Sequence, residues 1–123
     1  MPRLIRIALC QLTSAPTIEE GFQKVDDAIK HASSQGADLA IFPEYFVQGI
    51  VKDAPHKVVD EGEWEHHVSK LAVTYNMDIC IGTFVEKVQR PGDEEERTHN
   101  NAYYFNKKGE AVGKYTKRNL WHP

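Results

Sequence analysis

The stretch from Gly36 to Gly49, GADLAIFPEYFVQG, indicates both the fold class and the position of a candidate reactive side chain. Leu39 to Phe42 is a short apolar run, typical of a buried β-strand. Pro43 ends this strand, because proline has no backbone N–H to donate to a neighbouring strand. Glu44 therefore follows the C-terminal end of the strand, which is the edge where open α/β sheets bind their ligands. A solvated loop carboxylate is the alternative interpretation of Glu44.

The residues before this strand predict a strand followed by a helix. Leu4 to Leu12 has the apolar pattern of a first strand. Thr17 and Glu20 have the spacing of a capping box, and Gly36 supplies a left-handed stop. Between them, apolar residues recur at helical spacing, at Ile18, Phe22, Val25, Ile29 and Ala32. Strand, helix and strand in this order predict a βαβ unit with parallel strands.

The second half of the chain predicts a second helix and three more strands. The pattern gives a loop over Ile50 to Glu61, a helix over Glu63 to Tyr75, a strand over Met77 to Glu86, a solvated acidic loop over Gln89 to Arg97, and a hairpin with strands over Asn101 to Phe105 and Ala111 to Tyr115. Asn106 to Gly109 is the turn of this hairpin, and Gly82 permits a close backbone approach in the strand before it. Lys117 follows the last strand directly. We therefore predict one α/β domain with a mixed sheet and two helices on one face.

Composition excludes several classes of function. The chain has 123 residues, of which 41% are apolar, as expected for one globular domain. The net charge of −3, with acids and bases interleaved, gives no basic patch for nucleic acid. The N-terminal sequence MPRLIRIALCQL is interrupted by Arg3 and Arg6 and is too short to span a membrane. We expect a cytoplasmic protein in which Cys10 and Cys80 are free thiols buried in strands.

Sequence motifs give no reason to expect a metal or an organic cofactor. His66 and His67 lie beside Glu63 and Glu65, but adjacent helical residues point about 100° apart and the H-E-x-x-H spacing is absent. No G-x-G-x-x-G or Walker glycine cluster follows a strand, which argues against a small nucleotide-binding module. We expect neither a metal nor a cofactor.

Two segments resemble the nitrilase, or carbon-nitrogen hydrolase, superfamily. They are FPEYFVQG at Phe42 to Gly49 and HNNAYYFNKKGEAVGKYTKRNL at His99 to Leu120. A phenylalanine-proline-glutamate triplet is common by itself. Its combination with an asparagine-bearing strand, a turn glycine and G-K-Y-x-K in this order is specific. The resemblance covers essentially the whole chain.

This resemblance implies half of an α-β-β-α sandwich and a Glu-Lys-Cys triad that hydrolyses carbon-nitrogen bonds other than peptide bonds. Glu44 matches the glutamate of the triad, which would act as general base and then general acid. Lys117 matches the lysine, which would stabilise an oxyanion. We expect Phe42 and Tyr45 to shield Glu44 from water. The implied partner is a small amide or nitrile, with homo-oligomers possible.

The resemblance also leaves one triad residue unassigned. The cysteine of the family lies on a strand-to-helix elbow beyond the lysine, whereas this sequence stops at Pro123. Cys10 and Cys80 precede Lys117 and lack the residues that flank such an elbow. We therefore expect residues 1–123 to be a carbon-nitrogen hydrolase domain truncated before its catalytic cysteine. The alternative is a non-catalytic remnant or an interaction subunit of the same family.

Overall fold

A computed structural model describes residues 1–51 and 54–119 as one mixed β-sheet with two α-helices. The strands are β1 (Ile7–Leu9), β2 (Leu39–Ile41), β3 (Val59–Asp60), β4 (Asp78–Val88), β5 (Arg97–Phe105) and β6 (Ala111–Thr116), and the helices are α1 (Ile18–Ser34) and α2 (Glu65–Thr74). The strand order is β1-β2-β4-β5-β6, with β3 paired to β4. The α/β class and the mixed sheet predicted from the sequence are confirmed.

The sheet has a parallel half and an antiparallel half that share β4. β1, β2 and β4 are parallel to one another, as the predicted βαβ unit requires. β5 and β6 then form antiparallel hairpins beside β4. The turn before β6 is closed by Gly109, whose φ is 82° and whose N–H donates to the Asn106 carbonyl at 2.8 Å.

Both helices pack on one face of the sheet. Ala40, Ile79 and Phe105 lie in register on β2, β4 and β5, point to the same face and are buried. They join a single apolar cluster with Phe22 and Ile29 of α1 and with residues of α2. Thr17 caps α1 as predicted, since its Oγ1 accepts a hydrogen bond from the Glu20 N–H at 3.2 Å.

The other face of the sheet is open and partly apolar. Ile7 and Leu9 alternate with Ala8 along β1 and remain 50% and 78% exposed. Cys10 was expected to be buried but is only half-buried; it packs against the apolar cluster from a position just past the end of the edge strand β1. One covered and one open apolar face agree with half of a four-layer sandwich. Self-association of this chain stays a prediction.

Several boundaries differ from those predicted. β1 is shorter than the apolar run from Leu4 to Leu12, since pairing with β2 extends over only three residues. The predicted loop from Ile50 to Glu61 contains a short 3-10 helix (Pro55–Lys57) and β3, in which buried Val59 pairs with Glu86. Residues 52 and 53 of this loop lie outside the described residues. No helix within residues 1–51 and 54–119 combines the length and apolar character that crossing a membrane requires.

Gly82 confirms the predicted close backbone approach. Its φ is 147°, and it lies where the β4–β5 register shifts between Ile81 and Phe84. A Cβ at this position would lie 2.6 Å from the Cα of Ala102, which is closer than real Cβ atoms approach.

We predict that Gly82→Ala destabilises the fold more than Gly92→Ala. Gly92 also has a positive φ, 92°, but no atom lies within 4 Å of a Cβ added there. Both substitutions carry the cost of the backbone conformation, and only Gly82→Ala adds a clash, so the difference should be about 1 to 3 kcal/mol. Urea denaturation of the two variants measures it. Equal effects would contradict this prediction, because they would mean that β4 and β5 move apart to accept the extra Cβ at no cost in stability.

Candidate active site

Glu44 leaves the sheet at a sharp change of backbone direction. The last ladder bond before it runs from the Phe42 N–H to the Cys80 carbonyl at 3.0 Å, and Pro43 then ends the pairing. Tyr45 has φ of 60°, in the left-handed region that non-glycine residues rarely adopt. Such a conformation costs about 1 to 3 kcal/mol and persists only where surrounding contacts hold it. A hydrogen bond from the Gly49 N–H to the Tyr45 carbonyl, 2.6 Å long, is one of these contacts.

Lys117 is held at the end of β6. Its backbone N–H donates to the carbonyl of Asn100 on β5 at 2.8 Å, which continues the β5–β6 ladder by one residue. The side chain can therefore extend from a fixed backbone position toward the end of β2.

The structure brings Glu44 and Lys117 together, although they are 73 residues apart in sequence. The Lys117 Nζ donates to Glu44 Oε1 at 2.7 Å. The hydrogen bond to Glu44 is the main cause of the raised pKa of Lys117; desolvation opposes it, and the charge of Glu44 adds to it. The Glu44 side chain is 44% exposed and that of Lys117 27% exposed, so the expected shielding of Glu44 by Phe42 and Tyr45 is not what the described residues give.

Asn100 joins the two candidate residues. This buried asparagine donates through Nδ2 to the Tyr45 hydroxyl at 2.9 Å, and the same Nδ2 lies 3.5 Å from Glu44 Oε1. Its backbone carbonyl accepts from Lys117. Asn100 lies within the motif from His99 to Leu120, but no pattern in the sequence indicated this role.

A second group of polar residues, also missed from the sequence, lies beside the Lys117 backbone. Buried Glu86 accepts hydrogen bonds from Asn101 Nδ2 at 2.7 Å and from the Tyr103 hydroxyl. Asn101 Oδ1 in turn accepts from the Thr116 hydroxyl at 2.7 Å, one residue before Lys117. Burial and the hydrogen bond to Glu86 raise the pKa of Tyr103. The available signal was an acid and an asparagine inside apolar strands, since buried polar groups need partners.

The Glu44–Lys117 pair borders an open depression of about 430 Å³. Its lining includes Phe42, Cys80, Thr83, Ala102 and Tyr115. Ligand pockets are typically about 300 to 1,000 Å³ and mostly apolar, with a few polar groups that orient the ligand. The depression therefore has the size and lining of a small-molecule site.

A second depression, of about 410 Å³, lies at the opposite end of the strands. Asp38 accepts a hydrogen bond from the Arg3 side chain at 3.0 Å and another from the Arg6 backbone N–H. The bond from Arg6 is the main cause of the lowered pKa of Asp38. The Tyr104 hydroxyl donates to Asp78, which raises the pKa of Tyr104 to about 12. These charges are engaged with one another, so this depression is the weaker candidate.

Neither cysteine has the character of an activated nucleophile. Cys80 lines the first depression, whereas Cys10 directly follows β1. Burial raises the pKa of both thiols, whereas a reactive thiol needs a lowered pKa. The sequence-based expectation that both are free thiols is confirmed.

Lys114 and His67 have structural partners. Lys114 pairs with Glu61 at 2.5 Å and lowers the pKa of that carboxyl. His67 contacts Asp26 of α1 through its Nε2 at 2.7 Å, which links the two helices. Within residues 1–51 and 54–119, no group of three or more His, Cys, Asp or Glu side chains is arranged to hold a metal.

Comparison with solved structures defines the class of fold. A cysteine-to-alanine variant of the amidase from Nesterenkonia sp. AN1, in complex with butyramide, is similar with a TM-score of 0.71 and 25% identity, over 97% of this chain and 45% of that chain. The carbon-nitrogen hydrolase from Helicobacter pylori G27 gives a TM-score of 0.73 at 17% identity, over 97% of this chain and 41% of that chain, which shows the fold alone. The sheet and helices described here are part of a nitrilase fold.

Comparison of sequences gives the family. The carbon-nitrogen hydrolase family model matches residues 6–123. The chain therefore belongs to the carbon-nitrogen hydrolase family. It is 29% identical over 117 residues to deaminated glutathione amidase from Mus musculus, and the match covers 93% of this chain and 36% of that protein. The chain thus spans about a third of the length of this curated relative.

We predict that Glu44→Gln lowers the pKa of Lys117 toward the ordinary lysine value. The charge of Glu44 favours the ammonium form, so the stability that the pair contributes is present below the ordinary lysine pKa and is lost as pH rises through the raised one. NMR titration of Lys117 in a chain with ¹³C-labelled lysine measures the midpoint. An unchanged midpoint would contradict the contact between the two side chains.

Proposed function

We propose that this domain serves a hydrolase of small amides or nitriles, in which Glu44 transfers protons and Lys117 binds the oxyanion. The observation that carries this proposal is the 2.7 Å contact between Lys117 Nζ and Glu44 Oε1 at the edge of a depression of small-molecule size. The nucleophile would be a cysteine thiol from a segment outside residues 1–123. The coverage of about a third of the amidase relative is consistent with such a segment.

The proposed reaction begins with proton transfer to Glu44. The carboxylate takes the thiol proton while sulfur bonds to the carbonyl carbon of an amide, and a tetrahedral intermediate with a negatively charged oxygen forms. Glu44 then returns the proton to the nitrogen, the carbon-nitrogen bond breaks, and ammonia or an amine leaves. Glu44 next takes a proton from water as the water oxygen bonds to the thioester carbon. The carbon–sulfur bond then breaks, Glu44 returns that proton to the sulfur, and the acid and the free thiol are released. A nitrile would enter the same sequence through a thioimidate.

Lys117 suits the electrostatic part of this reaction. Its pKa is raised, so the ammonium form persists throughout the neutral range. A fixed cation within hydrogen-bonding distance of the developing oxyanion lowers the barrier without reorganising during the reaction. The backbone bond to Asn100 and the side-chain bond to Glu44 both restrict where the ammonium group lies.

The proposed substrate is a compact molecule with an apolar acyl group. The depression presents Phe42, Ala102 and Tyr115 on its walls and the charged pair at its edge. Two similar proteins support an amide substrate, one described as deaminated glutathione amidase and one solved in complex with butyramide. Butyramide is therefore a suitable first test substrate.

In a protein that contains this domain together with its cysteine segment, Lys117→Ala should lower kcat for butyramide by about 10²- to 10³-fold. Loss of a partly exposed lysine should leave the free energy of unfolding almost unchanged. Lys114→Ala is the matched control, because Lys114 lies three residues before Lys117, within β6, and pairs with Glu61 instead. Steady-state kinetics and urea denaturation measure both effects. A kcat loss confined to Lys114→Ala would show that the lysine of the site is misassigned.

A polypeptide of residues 1–123 alone should release no ammonia from butyramide above a Glu44→Ala control. Thiols with raised pKa values on Cys10 and Cys80 are poor nucleophiles, so Glu44 and Lys117 have no activated thiol to serve. A coupled ammonia assay measures the rate. Turnover that disappears in Cys80→Ser would instead identify Cys80, which lines the depression, as the nucleophile.

A further inference from the structure

The edge of β4 that faces β2 and β3 has a gap between its two parallel partners. β2 pairs with β4 only as far as Cys80, which accepts from the Phe42 N–H at 3.0 Å. β3 takes up the pairing at Glu86. Between these points the chain that follows β2 has left the sheet at Pro43, and it carries Glu44.

The side chain of Gln48 fills this gap as a substitute for a strand. Its Oε1 accepts from the Val85 N–H at 2.7 Å, and its Nε2 donates to the Val85 carbonyl at 2.9 Å. The second Nε2 hydrogen has a partner in the Lys57 carbonyl at 2.8 Å. The Gln48 residue is only 1% exposed. The amide thus bonds both the N–H and the carbonyl of Val85, as the backbone of a paired strand would, and both of its Nε2 hydrogens have acceptors.

The Gln48 amide anchors the C-terminal end of the segment that carries Glu44. Phe42 is bonded to β4 before Glu44, and Gln48 is bonded to β4 after it. The residues between include Tyr45, whose left-handed φ of 60° requires restraint. Val85 also lies opposite Asn100 in the β4–β5 register, and Asn100 is the residue that contacts Glu44 and Tyr45.

We propose that Gln48 is a positioning residue for Glu44, because its amide fixes to Val85 the turn that holds the glutamate against Lys117. The proposal deepens the proposed function and rests on it for the role of Glu44. It concerns the geometry of the Glu44–Lys117 contact, which can be measured without turnover.

The test follows Lys117 by NMR in the chain with ¹³C-labelled lysine. Within residues 1–51 and 54–119, the titratable groups that act on its amine besides Glu44 are the side chains of Tyr45 and Tyr115. Gln48→Met keeps the length of the side chain and removes the amide. Gln23→Met is the matched control, since Gln23 is an exposed glutamine of α1 that donates to Asp27 at 3.1 Å. Glu44→Gln gives the midpoint of Lys117 without its partner.

We expect Gln48→Met to shift the Lys117 midpoint most of the way to its value in Glu44→Gln, and Gln23→Met to leave it unchanged. A purely fold-stabilising glutamine would lower the unfolding midpoint without changing this titration in the folded state. A wild-type Lys117 midpoint in folded Gln48→Met would therefore overturn the proposal.

If Gln48→Met does not fold, Gln48→Ser provides a second test of the proposal. Gln48→Ser leaves space for water to bond the Val85 N–H and carbonyl, so the sheet can persist while the direct anchor is lost. A shifted Lys117 midpoint in Gln48→Ser supports the proposal, and an unchanged midpoint or a second loss of fold overturns it. If Glu44→Gln leaves Lys117 unchanged, the contact itself fails, and the proposed function fails with it.

Discussion

β4 is the strand on which the rest of the structure depends. Its backbone pairs with β2 and β3 on one edge and with β5 on the other, so every other strand except β1 and β6 is bonded to it directly. The parallel and antiparallel halves of the sheet meet only here. The candidate site inherits this arrangement, because Glu44 arrives from the parallel edge and Lys117 from the antiparallel hairpin.

The two edges of β4 meet the candidate site in different ways. On the β5 side, regular pairing continues through Asn100 to the backbone of Lys117. On the β2 side, regular pairing stops at Cys80, which frees the chain to turn at Pro43 and direct a carboxylate away from the sheet. The lysine follows a continuous ladder and the glutamate an interrupted one, so their side chains meet at 2.7 Å although β4 and β5 lie between β2 and β6. Regular strands separated by two others would lie about 14 Å apart.

Much of the fold could be predicted from local pattern. The apolar run at Leu39, the cap at Thr17 and the glycine turn before β6 each express a preference of a few neighbouring residues. The partners of Gln48 and Glu86 could not be predicted, because those bonds depend on which strands adjoin. Glu44 and Lys117 were paired only through a family resemblance, since no periodicity spans 73 residues. The exposure of Ile7 could not be predicted either, because an apolar run does not indicate whether one or both faces of its strand will be covered.

The burial of Glu86 has a consequence for how the domain unfolds. This carboxylate lies on β4, but its hydrogen-bond donors Asn101 and Tyr103 belong to β5, and Asn101 is tied to Thr116 of β6. Detaching the hairpin would break the bonds from Asn101 and Tyr103 together and leave Glu86 only the Gly62 N–H, 3.4 Å from its Oε1. Fraying from this edge of the sheet is therefore penalised at its first step. The central strand and the hairpin should open together as one cooperative unit, and amide hydrogens across β4, β5 and β6 should exchange with a common opening free energy.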